Sequence, residues 1–277
     1  AFLFVLSLAA PALAFEVGDK RVTMGANLTA EQRALVFRDF GISEGDVPEL
    51  TITNADERVY LNGLVPDSKI GSVALSCIYI EILGENAGLD ITTHNINWAT
   101  VDMYRNAFHT AGITNAKIIV SAPFPVSGTA ALTGAYKAYE DITGKQLADL
   151  AKAVGVEELI VTGELAAFIG TEEAAALINE LKKILDQTQN MTDDEVRAEI
   201  KNIADAYTIT LTTSQLEQVL SLCRKLEKLN VDEIKKLAES LVTAQKATTA
   251  LSNFAQGVKN FFASIGDFFA RLFGKKD

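Results

Sequence analysis

The sequence predicts an α+β protein, with an N-terminal ferredoxin-like βαββαβ sandwich followed by an all-helical region. Three observations predict it. Apolar, β-branched runs of strand length occur only before residue 128. Between them lie short segments with helical spacing and good caps. After residue 128 the strand signal stops and apolar residues recur at steps of three and four. The expected divisions are a partial signal peptide over 1–14, the sandwich over 21–127, a helical domain over 128–250 and an amphipathic helix over 251–277.

The elements follow in order. LTAEQRALVFRDFGI opens with Thr29 and Gln32 as a capping box and stops at Gly41. PELTIT is a short strand, and NADERVYLNGL a short helix starting near Asn54. Residues 71–83 are apolar and β-rich, GENAG is turn material, and 89–97 alternate like a strand. A helix over 100–112 and the strand NAKIIVSA complete the β-α-β-β-α-β order. Helices are then expected over 129–142, 145–153, 156–169, 171–188, 192–206, 212–229 and from 231 onward. Two starts are strong: Thr192 with Glu195, stapled by Met191 and Val196, and Thr212 with Gln215, stapled by Leu211 and Leu216.

The 277 residues are 48% hydrophobic and 22% charged, which is globular rather than disordered. A net charge of −11 argues against nucleic acid as a partner, because phosphate binding needs clustered Lys and Arg. The opening AFLFVLSLAAPALA is an apolar run ending in Ala12-Leu13-Ala14, the pattern of a secretory signal with its cleavage site. The competing reading is a buried or anchoring N-terminal helix. The signal reading places the mature chain outside the cytoplasm, starting near Phe15. Only two cysteines are present, Cys77 in a strand-like run and Cys223 on an apolar helical stripe. Both read as small core residues, with a disulfide as the alternative in an exported chain.

The motifs that carry chemistry are few. APFPVSGTAALTG takes an apolar run through two prolines into a helix. It lacks the Gly-Lys-Ser/Thr ending of a phosphate loop and the G-x-S-x-G of a nucleophile elbow. Ser127 or Thr129 is expected to cap the helix, with Gly128 in the turn. Free N–H groups there offer the alternative of an anion site. Asn95, Asn97 and Trp98, in HNINWAT, are polar and aromatic groups at a strand–helix junction and form a second ligand-binding candidate, with turn-satisfying asparagines and a core-anchoring tryptophan as the alternative. His94 and His109 lack metal-ligand spacing, so neither a metal nor a cofactor is expected. The acids cluster mainly at helix starts, where the helix dipole favours them. Glu164, inside VTGELAAF, is the one acid whose context suggests partial burial, which would suit a general acid; a side chain reaching solvent from the helix edge is the alternative.

In LSNFAQGVKNFFASIGDFFARLFGKKD, Phe254, Phe261, Phe262, Phe268, Phe269 and Phe273 share one wide helical face. Such a face suits docking within the chain or between copies, a protein partner, or an envelope or membrane surface.

At VTMGANLTAEQ, TNADERVYLNG, THNINWATVDMY and APFPVSGTAALTGAYKAYEDITG the chain resembles the YpuA-like domain-of-unknown-function family (DUF1002) of secreted proteins from Gram-positive Firmicutes. The resemblance runs from about Arg21 to Leu229. It implies export and supplies no activity, cofactor or catalytic residue. Two functions follow as expectations. One is a non-enzymatic binding or scaffold module of the cell envelope. The other is an exported hydrolase acting on cell-wall material through carboxylates that cannot be paired from sequence.

Overall fold

Five strands form one mixed sheet in the computed structural model, which describes residues 15–64 and 72–245. The strands are β1 (Lys20–Gly25), β2 (Glu49–Ile52), β3 (Cys77–Ile82), β4 (Leu89–Ile96) and β5 (Ala116–Val126), in the order β2-β1-β3-β5-β4. Ten helices accompany them among the described residues. They are α1 (Ala30–Phe40), α2 (Asn54–Leu61), α3 (Val101–Ala111), α4 (Ala131–Thr143), α5 (Asp149–Ile169), α6 (Thr171–Lys183), α7 (Leu185–Thr188), α8 (Asp193–Ala206), α9 (Thr213–Leu226) and α10 (Val231–Gln245). The protein is therefore α+β. The expected signal segment and the Phe-rich C-terminal helix lie outside the described residues.

The sheet departs from the expected four-stranded sandwich in two ways. KRVTMG adds a fifth strand, β1, between β2 and β3. Two neighbouring pairs, β1–β2 and β4–β5, are parallel, whereas β1–β3 and β3–β5 are antiparallel. Each parallel pair needs a crossover, supplied by α1 and α3 respectively.

The two crossovers lie on opposite faces. Val36, Phe37 and Phe40 of α1 pack against Val22, Met24, Cys77, Tyr79 and Ile119. The alternate residues Ile78, Ile80, Ile118 and Val120 face Met103, Tyr104 and Phe108 of α3, and Leu132 and Tyr136 of α4. Period-two alternation thus builds a layer on each side of the sheet. Strands β1 and β4 run in the same direction, and both crossovers step toward the β2 edge. With helices on opposite faces, the two crossovers must have opposite hands. About 98% of such crossovers are right-handed, so one of this pair has the rare hand. A ferredoxin-like sandwich, with its helices on one face, cannot accommodate that.

The chain divides into two compact units, Ala1–Ile160 and Val161–Asp277. The change of unit falls inside α5 rather than at the expected 127/128. Helix α4 belongs with the sheet because it packs directly on β1, where Thr23 Oγ1 donates to the Gly134 carbonyl at 3.1 Å. A Cβ on Gly134 would lie 3.0 Å from that hydroxyl, which explains a glycine inside a helix. Gly155 has the same role. The sequence predicts a break there, but α5 continues through it, and glycine is needed because a Cβ would come within 2.7 Å of both the Ala107 carbonyl and the Tyr136 hydroxyl.

In the C-terminal unit the caps form as expected. Thr192 and Thr212 each close a capping box, with Glu195 and Gln215. Arg224 ties the turn before α8 to α9. It donates to the carbonyls of Thr188 and Met191 at 3.0 and 2.7 Å, and it pairs with Asp193 and Glu227.

Candidate functional site

The two sequence-derived ligand candidates meet. The Asn97 N–H donates to the Val126 carbonyl at 3.0 Å, and the Ala99 N–H to the Ser127 carbonyl at 3.1 Å. These bonds continue the β4–β5 ladder, with Ile96 opposite Val126. Asn95, Asn97 and Ser127 are exposed, and Trp98 is half-buried against the core.

The prolines explain the local shape. His94 pairs with Ser121 and Ile96 with Val126, so one residue of β4 faces four of β5. The four are Ala122-Pro123-Phe124-Pro125, and neither proline has an N–H to give to a ladder. The strand bulges, and Phe124 is left 45% exposed. Asn95 spans the opening: it sits at φ +57, and its Nδ2 donates to the Ala122 carbonyl at 2.8 Å.

The expected helix cap does not form. The cap residue of α4 is Ala130, with no side-chain hydrogen bond, and Ser127 Oγ instead lies 3.4 Å from Thr129 Oγ1. The backbone closes the start itself, with the Ala131 N–H on the Gly128 carbonyl at 3.1 Å. Tyr104 donates its hydroxyl to the same carbonyl at 2.6 Å. Gly128 holds φ +87, and a Cβ there would collide with the Tyr104 hydroxyl and with Ile96. Glycine is required at this position by both strain and space.

The remaining chemistry-bearing residues lie away from this junction. Glu164 is half-buried and accepts from Gln218 Nε2 at 2.9 Å, so its carboxylate has a neutral amide partner. The acids the sequence reading passed over are more deeply buried. Glu158 is fully buried and accepts from Thr110 Oγ1 at 2.5 Å. Glu57 is 2% exposed, and burial pushes its carboxyl up to about 7. Its helical position was the available signal, since Tyr60 and Leu61 at i+3 and i+4 put it on the core-facing stripe. Cys77 and Cys223 are both free and buried, and burial pushes both thiols up to about 12. Among the described residues no cluster of three His, Cys, Asp or Glu side chains could hold a metal ion. No described helix is long and apolar enough to cross a membrane.

The fold and this junction define an α+β protein that presents a proline-built, aromatic-bearing bulge beside a helix start. Within that class the chain belongs to the family described as "Protein of unknown function (DUF1002)", whose model matches residues 24–244. It is similar to the "Uncharacterized protein YpuA" of Bacillus subtilis (strain 168), at 36% identity over 259 residues, covering 92% of this chain and 88% of that relative. No solved structure matches it.

Proposed function

We propose that the protein acts outside the cytoplasm as a non-enzymatic binding or scaffold module of the cell envelope. The observation that carries the reading is the convergence of Asn95, Asn97, Trp98 and Ser127 around a bulge that keeps Phe124 in solvent. An exposed aromatic on a bulge next to exposed amides and a hydroxyl is the composition of a binding surface: the ring supplies contact area and the polar groups supply direction. The apolar segment ending at Ala14 supports export, and the Phe-rich face over 251–277 supports a second contact with an envelope surface or a protein partner.

Co-sedimentation of the purified full chain with isolated cell-wall sacculi and with anionic vesicles tests the reading. The expected result is binding to one of them, lowered at least about tenfold in Phe124→Ser or Asn97→Ala with the unfolding midpoint unchanged. No binding to either material, or binding indifferent to both substitutions, would overturn the role of this surface.

One observation favours the hydrolase alternative: a carboxyl held near 7, at Glu57, has the acidity of a general acid. It is also 2% exposed, and the charges acting on it are those of its helix neighbours Asp56 and Arg58 rather than a second catalytic carboxylate. Release of soluble fragments from the sacculi, abolished in Glu57→Gln, would establish the hydrolase instead.

A further inference from the structure

Glu57 is a core residue without a core residue's partners. Among the described residues its Oε1 is buried with no hydrogen-bond partner, and its Oε2 accepts a long bond of 3.4 Å from Asn54 Nδ2. A buried carboxylate in that state is costly, whereas a buried carboxylic acid is much less so.

Among the described residues, the nearby charged groups are engaged elsewhere. On its own helix, Asp56 is locked in the α2 capping box with Thr53, and Arg58 Nε donates to Asn54 Oδ1 at 2.9 Å. From α4, Lys137 gives its ammonium to the Thr51 carbonyl at 2.8 Å and lies 3.9 Å from Asp56. From α5, Lys152 is bonded to Glu140 at 2.9 Å and lies over the Tyr60 ring. Tyr60 meets Tyr136 of α4 edge-to-face at 6.2 Å, and burial holds the Tyr136 hydroxyl well above its ordinary range, so it remains neutral.

The helix that carries Glu57 is short. Eight residues are too few to be stable without tertiary packing, so α2 persists only while Tyr60 and Leu61 stay seated against α4 and the core. We propose that α2 is a strap fastened by a proton: with Glu57 protonated the helix stays seated on α4, and ionisation of Glu57 releases it and uncovers the apolar seat of Tyr60 and Leu61.

The direction of the pH effect follows from which state binds the proton more tightly. The seated form keeps it up to about 7, whereas a released, solvated Glu57 loses it near the ordinary 4.5. Seating is therefore complete below about 4.5, erodes as pH rises between these values, and is fully penalised above about 7.

Hydrogen exchange read by mass spectrometry on the full chain between pH 5 and 8.5, with rates corrected for the intrinsic pH dependence, tests this. Protection of the α2 amides should fall at least about tenfold across the range, while that of α1 stays level. In Glu57→Gln the α2 protection should be high and independent of pH. Level α2 protection in the wild type, or the same fall in Glu57→Gln, would overturn the proposal. Should that variant fail to fold, a carbon-13 titration of the wild-type Glu57 carboxyl decides: a midpoint in the ordinary carboxylate range refutes the strap, and one near neutrality sustains it.

Discussion

In the sheet unit side-chain contacts reach across as many as 120 residues, while in the helical unit even a long one, Asn179 to Ala238, spans 59. Arg21 reaches Asp141, Thr23 reaches Gly134 and Ser121 reaches Asp39, over separations of 120, 111 and 82 residues. The ties that Arg224 makes to the turn before α8 span 31 to 36 residues, and each capping box spans three. Distant contacts are formed late, because loop closure must precede them. The sheet unit relies on close backbone approach at a few glycines, and the helical unit on distributed local bonds. One wrong atom should therefore be costly in the first and tolerable in the second.

The sharpest test of this contrast is Gly128→Ala. It forces a β-carbon into the Tyr104 hydroxyl and Ile96 while keeping φ +87, and should destabilise the sheet unit by about 3–4 kcal/mol. Chemical denaturation followed by tyrosine fluorescence and exchange protection of β4 and β5 would measure it. A loss below about 1 kcal/mol would break the comparison.

In the helical unit, the largest single effect is expected at Arg224→Ala. It strands the Met191 carbonyl, leaves the Thr188 carbonyl with only the Met191 N–H, and leaves the nearly buried Glu227 without its cation. Discounting for the half-exposed guanidinium, the cost is about 2 kcal/mol, confined to exchange in α7 to α9. The smallest effect belongs to Thr192→Ala, which removes one cap acceptor at an exposed helix start and should cost about 1 kcal/mol. If the cap proved costlier than Gly128→Ala, the ranking of the two units would be reversed.

The same contrast sets how much was legible beforehand. Capping boxes are local, so Thr29, Thr192 and Thr212 could be read directly from spacing. Strand β1 was missed because KRVTMG is short and begins with two cations. It is a strand because β2 and β3, distant in sequence, flank it. A break is expected between 153 and 156, since nothing nearby reveals that Gly155 leaves space Ala107 and Tyr136 need. The junction was half-legible. Both of its segments were singled out as candidates, but their adjacency depends on the β4–β5 register, and Phe124 becomes exposed only through the bulge. Glu57 shares a helical face with Tyr60 and Leu61, a pattern open to reading, but its missing partner is a property of the packed state alone.

The placement of the two thiols has an experimental use. Cys77 sits in the central strand of one unit and Cys223 in the core of the other. Burial keeps both protonated and shielded at neutral pH, and a thiol reagent attacks the thiolate. Each cysteine is therefore silent until its own unit opens. The chain carries one chemical clock per unit, and peptide mapping after pulsed alkylation would time the two openings separately without any engineered label.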